Sequence, residues 1–222
     1  MKLLSLILSL GAVGLASSAR AANIIDSIYG VGAGSFELPG HGAAQYETLA
    51  SGDTDISGWI VDPTTIDWVK DSVWNASDGS YSIDLNGSPS GIGGIHTVIP
   101  TTAGTTYRVT FDIAAFNAPG SATDPKTMDV NAGGTSTSFS LAASHSYSVP
   151  FSLPLVVTWH SHFVEFTATG SSATIGFLST VPGDGSAMLL DNVSVEAVPE
   201  TSGALLAALG LLVPLMVRRR SV

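Results

Sequence analysis

No cysteine occurs in the chain. An exported form therefore has no disulfide to staple it, and thiol catalysis is excluded, so stability has to come from an apolar core or a bound ion. Basic residues are nearly as scarce: of the eight, Lys2, Arg20, Arg218, Arg219 and Arg220 lie at the ends, leaving Lys70, Arg108 and Lys126 between them. All 18 carboxylates fall between Asp26 and Glu200, giving that stretch a net charge of −15. Such a polyanion repels nucleic acid and anionic lipid, which argues against both as partners and favours cations. Also missing are a nucleophile elbow, a zinc-protease helix, a phosphate-binding loop and a dinucleotide fingerprint. The remaining enzymatic route is a glycan hydrolase built on two carboxylates, and 18 acids supply many pairs without selecting one. The expectation is a protein that is not an enzyme.

Long apolar runs are confined to the two ends. Residues 1–22 read as a signal peptide, with Lys2 as the positive start, Leu3 to Leu15 as the apolar stretch and Ala19-Arg20-Ala21 as the cleavage site. Residues 198–222 reverse that order: Pro199-Glu200-Thr201, an apolar run from Gly203 to Val217, then Arg218-Arg219-Arg220. Positive charge stays on the cytoplasmic side, so the body is expected to face outward. The run is short for a permanent span and Pro214 interrupts it, which points to transient anchoring in the inner membrane.

Residues 23–197 carry the alternation of a β domain, punctuated at short intervals by Gly, Asn, Asp, Pro and Ser. Tyr107 to Ile113 and Phe163 to Ala168 place every second apolar residue on one face. Further strands are expected at Ile56–Ile60, Thr65–Val69, Tyr81–Leu85, Ile92–Ile99, Lys126–Val130, Ala173–Ser179 and Ala187–Val195, enough for two packed sheets. No repeat suggests a solenoid or propeller.

Three groups of residues point to chemistry. Trp59 and Tyr81, within alternating strands, are expected in the core. Trp74, in a polar turn, is the better candidate for an exposed sugar platform, with Trp68 and Trp159 as further candidates. His160 and His162 share a strand face, but no third ligand follows at a recognisable spacing. Asp53-Thr54-Asp55 opens like an EF-hand loop, yet Thr64 stands where the bidentate glutamate is needed, which rejects that motif.

Two resemblances follow from these residues. The tail resembles the PEP-CTERM sorting signal of Gram-negative bacteria, with Thr201 where the second proline of that motif is expected; the resemblance implies an exosortase-type processing enzyme and delivery to the cell surface or extracellular matrix. The body resembles the exported "choice-of-anchor C" family, related to plant cell-wall domains of unknown function. The matching stretches are Gly34-Ser35-Phe36-Glu37, Ile56-Ser57-Gly58-Trp59, Ile66-Asp67-Trp68-Val69, Asp78 to Gly87, Thr105 to Ala114 and Leu190 to Val195. That resemblance implies a galactose-binding-like jelly-roll β-sandwich without an established activity. Related carbohydrate-binding modules imply a structural Ca2+ held by Glu37 and Asp191, with Ser80 completing the shell. The functional expectation is a non-catalytic domain that associates with extracellular polysaccharide, the alternatives being a structural or adhesive surface protein and a glycan hydrolase.

Overall fold

A computed structural model describes residues 22–89, 91–117, 124–146, 153–181 and 187–199. The signal peptide expected at 1–22, apart from its last residue, and the sorting tail with Glu200, Thr201 and Arg218–Arg220 lie outside them. A six-residue helix, α1 (Ile24–Tyr29), precedes twelve strands. These are β1 (Tyr46–Leu49), β2 (Ile60–Val61), β3 (Ile66–Lys70), β4 (Tyr81–Asp84), β5 (Gly94–Pro100) and β6 (Thr106–Asn117). They continue as β7 (Lys126–Ala132), β8 (Thr135–Leu141), β9 (His145–Ser146), β10 (His160–Thr167), β11 (Ser172–Ser179) and β12 (Ala187–Ala197).

The strands form two sheets, one ordered β1-β3-β4-β12-β6-β10 with β9 beside β6, the other β2-β5-β11-β7-β8. All pairings between these strands are antiparallel except β6 with β9. The chain crosses repeatedly from one sheet to the other, so the fold is the expected jelly-roll β-sandwich. Alternation is the cause. In β6, Tyr107, Val109, Phe111 and Ile113 point into the space between the sheets, where Ile95, Ile175 and Phe177 of the second sheet meet them. Phe111 and Phe177 pack edge to face at 5.2 Å.

Two indoles are anchored as well as buried. Trp59 Nε1 donates to the Ala33 carbonyl at 2.8 Å and Trp68 Nε1 to that of Phe36 at 2.9 Å. An aromatic side chain of this size removes about 150–250 Å2 from water, a gross gain of roughly 4–6 kcal/mol at ~25 cal/mol per Å2. The donor bonds remove the penalty an unpaired indole N–H would carry inside.

Asn23 ties the start of the described chain to its end. Its Oδ1 caps α1 at Ile25 N and also accepts from Val195 N, while its Nδ2 donates to the Val193 carbonyl. Val193 N donates to Gly34 O at 2.9 Å, and a β-carbon at Gly34 would stand 2.1 Å from Val193 O. Only glycine allows that approach. The contact sits where the β12 register with β6 shifts between Asp191 and Ser194, a bulge containing Asn192 at φ 51°.

Differences from the sequence reading have local causes. Ile56–Ile60 is mostly turn, because Gly58 at φ +83° reverses the chain before β2 begins. Strands β1, β8 and the two-residue β9 have no counterpart in that reading: β8 runs Thr-Ser-Thr-Ser-Phe-Ser-Leu and is largely exposed at a sheet edge, so hydrophobic alternation is absent from most of its length.

Candidate functional site

The three tryptophans expected to meet sugar are turned inward. Trp68 is 1% exposed in the main core. Trp74 is 5% exposed, stacks obliquely on Phe116 at 5.3 Å and donates to Ser82 Oγ at 2.8 Å. Trp159 is half-buried and donates to the Asn75 carbonyl at 2.8 Å. Trp74 and Trp159 belong to a second apolar cluster with Val69, Ala114, Leu155 and Val157, lying on the outer face of the β6 sheet beneath the 71–77 and 153–159 segments. The polar neighbours of Trp74 in sequence conceal this, because the segment that closes over it, around Leu155 and Val157, is remote in the chain. The exposed aromatic platform is thus corrected to a structural cluster.

Glu37, Asp191 and Ser80 do converge, on the turn at 77–81. Glu37 Oε1 accepts from the peptide N–H groups of Ser80 (2.8 Å) and Tyr81 (2.9 Å). Asp191 Oδ2 accepts from Ser77 N (2.7 Å) and Asp78 N (3.0 Å), and its Oδ1 from Asn192 N (2.6 Å). A β-carbon on Gly79, whose φ is +65°, would lie 2.4 Å from the Glu37 carboxylate. Ser80 therefore meets Glu37 as an N–H donor, and a cation placed between these carboxylates would face five peptide donors. Among the described residues no group of three His, Cys, Asp or Glu is arranged to hold a metal ion. The donor set fits a carboxylate clamp on a turn better than a calcium cage. Asp191 is fully buried, and burial pushes its carboxyl up to about 8 against the pull of the Asp78, Asn192 and Ser77 N–H groups.

His160 and His162 share a face, as their spacing requires. His162 packs edge-on against Phe139 at 5.2 Å and stacks near Phe111 at 6.2 Å, a packing role.

Among the described residues a concave surface lies elsewhere, on the outer face of the β2-β5-β11-β7-β8 sheet. A trough of about 550 Å3 is lined by Asp62, His96, Asp129, Asn131, Ser136 and Gly176, among others. That volume lies within the ordinary range of ligand sites, about 300–1,000 Å3. Register explains the trough. Gly176 stands opposite both His96 and Asn131, and Asn131 stands opposite Ser136, so four strands contribute one straight outward row. A missing side chain in the middle of that row is the floor. Asp129 lies in the next row, opposite Leu178 and Ser138, and accepts from Ser138 Oγ at 2.6 Å. A second depression of about 410 Å3 shares Asn131 and Thr174 with the first and extends past Gly133 and Gly134. The sequence reading singles out no position in this row, since polar residues at alternate strand positions look like any solvated face; Gly176 in mid-strand is the available signal.

Fold and site together define a two-sheet β module with a polar surface trough. The chain belongs to the family described as "Protein of unknown function (DUF642)", which matches residues 31–196. It is 30% identical over 153 residues to halomucin of Haloquadratum walsbyi (strain DSM 16790 / HBSQ001), a match that spans 68% of this chain and 2% of that protein. Among solved structures, a family 35 carbohydrate-binding module from Clostridium thermocellum is similar with a TM-score of 0.43 at 12% identity, covering 68% of this chain and 99% of that one. TmCBM61 in complex with β-1,4-galactotriose is similar with a TM-score of 0.41 at 15% identity, covering 80% of this chain and all of the other.

Proposed function

We propose that this protein is an exported, non-catalytic surface module that holds an extracellular polysaccharide in the trough of its β2-β5-β11-β7-β8 sheet. The observation that carries the reading is the row His96-Gly176-Asn131-Ser136, in which rigid strands present an imidazole, an amide and a hydroxyl around an empty floor. Glycan hydroxyls need donors and acceptors of that kind, pre-positioned so that little side-chain entropy is lost. The shared edge with the second depression favours a chain of several sugars over a monosaccharide.

Delivery belongs to the same proposal: export through the signal peptide, transient inner-membrane anchoring by the tail, release by an exosortase-type enzyme, and a place among choice-of-anchor C proteins. Mass spectrometry of the surface fraction is expected to find a chain lacking the residues beyond about Glu200; an intact Arg218–Arg220 cluster there would refute the sorting step. A structural Ca2+ at the 77–81 turn is a separate proposal with a rival in the geometry, the N–H clamp. Saturable binding of the purified protein to polysaccharide, measured by calorimetry and lost on Asn131→Ala, tests the central reading.

A second reading is favoured by Phe163, 57% exposed on the edge strand β10 with Arg108 over its ring at 4.7 Å. An exposed edge with an aromatic invites self-association, as an adhesive surface protein would require. Sedimentation showing concentration-dependent oligomers that vanish with Phe163→Ser, together with no glycan binding, would select it.

A further inference from the structure

The trough's charge is one-sided, and this narrows what it accepts. Asp62 and Asp129 supply carboxylates, and no Lys or Arg is among the lining residues. The three cations of the described chain are engaged or buried elsewhere. Arg108 pairs with Glu165 at 2.7 Å on the other sheet, Lys70 donates to the Gly42 carbonyl, and Lys126 is 1% exposed. Asp62 is exposed at the rim, and Asp129 keeps a short bond to the Ser138 hydroxyl, which leaves it an acceptor. A glycan bearing carboxylates, sulfates or phosphates would enter against this field with no guanidinium or ammonium among the described lining residues to receive it. A protonated amine on the sugar would meet the opposite.

Building on the glycan reading above, we propose that the trough is specific for amino-sugar polymers carrying free, protonated amines, with Asp62 and Asp129 receiving the ammonium groups and the His96-Gly176-Asn131-Ser136 row receiving the hydroxyls. A charge-assisted bond to a carboxylate is roughly twice as strong as a neutral one, so the amine sets the preference within the class.

Three polymers of matched length test this at physiological salt: a glucosamine polymer, its fully N-acetylated form and a uronic-acid polymer. The expected order is amine first, acetylated at least ~10-fold weaker, about 1.4 kcal/mol, and uronate unbound. Because the whole protein is acidic, the amine polymer will also be attracted without a site, and two controls remove that contribution. Asp62→Asn with Asp129→Asn is expected to erase the amine preference, whereas Glu47→Gln with Asp71→Asn, the same charge change on the other sheet, is expected to keep it. Gly176→Val keeps the charge and fills the floor; it is expected to abolish binding, and Gly176→Ala, whose β-carbon meets only ordinary contacts at 3.4 Å and beyond, to weaken it. Equal affinity for amine and acetylated polymers, or equal loss in both charge variants, would overturn the amine specificity while leaving the glycan site standing. Failure of all three polymers to bind would overturn the amine specificity, and failure of the producing cell's own exopolysaccharide to bind as well would remove the glycan reading with it.

Discussion

At the residue scale, Trp74 and Asp84 show how a side chain's role depends on what covers it. Trp74 sits among Asp71, Ser72 and Asn75, yet it is 5% exposed because Leu155 and Val157 close over it. Removing a buried aromatic costs about 3–5 kcal/mol. Trp74→Ala is therefore expected to lower the unfolding free energy by that amount while the folded fraction binds glycan as the wild type does. Calorimetry beside a urea titration checks both halves, and a lost affinity with intact stability would return Trp74 to the site. Asp84 stands opposite Asp67 across β3 and β4. Burial pushes its carboxyl up from 3.8 to about 8, and the neighbouring Asp67 carboxylate adds to the rise. The folded protein then holds a proton that the unfolded chain releases near pH 4, so this contribution to stability is present at low pH and is lost as pH rises from about 4 towards 8. Asp84→Asn retains an oxygen for the Asn86 N–H and is expected to shrink the decline to the part that Asp191, also raised to about 8, contributes. A loss of even ~1 kcal/mol between pH 5 and pH 8 in the wild type corresponds to about 2–4 °C in Tm, which a melting series with both proteins resolves.

Elements are legible where the two faces of a strand differ. Strands β10, β11 and the first half of β6 declare themselves by Tyr107-Val109-Phe111-Ile113 and its counterparts, because one face meets the core and the other does not, whereas the end of β6 and the start of β12 are buried on both faces and read as apolar runs. Strand β8 has only Phe139 and Leu141 as apolar signals, and β2 follows a turn that its apolar flanks Ile56 and Ile60 disguise. The 77–81 turn is a case in between. Family resemblance brings Glu37 and Asp191 to one corner from opposite ends of the domain, but sequence carries no record of whether their oxygens face a cation or N–H groups. The clamp geometry predicts the same Tm in calcium and in chelator; a calcium-dependent rise of several degrees, the signature of a ligand bound only by the folded state, would replace the clamp with an ion. Gly34→Ala belongs to this scale too, because it forces the 33–36 segment off the β12 bulge. Overpacking of this sort costs about 1–3 kcal/mol, to be read as a fall in the denaturation midpoint.

At the scale of the whole molecule, the sandwich has two outer faces with opposite uses. Around Trp74 and Trp159 the first sheet is covered by its own loops, so its aromatics serve stability. The second sheet is left open, and its mid-strand glycine makes the opening concave. The fold class is readable from alternation alone, whereas the site is not, because it arises from register: His96, Gly176, Asn131 and Ser136 come from four strands, and β5 and β11 meet there although several strands intervene between them in the chain. Whether this row holds glycan is decided by titrating isotopically labelled protein with the producing cell's own exopolysaccharide while following backbone amide shifts. Saturable shifts are expected to concentrate at His96, Asn131, Ser136 and Gly176, with the amides around Trp74 and Trp159 unmoved. Saturable shifts centred on Trp74 and Trp159, or none anywhere, would contradict it.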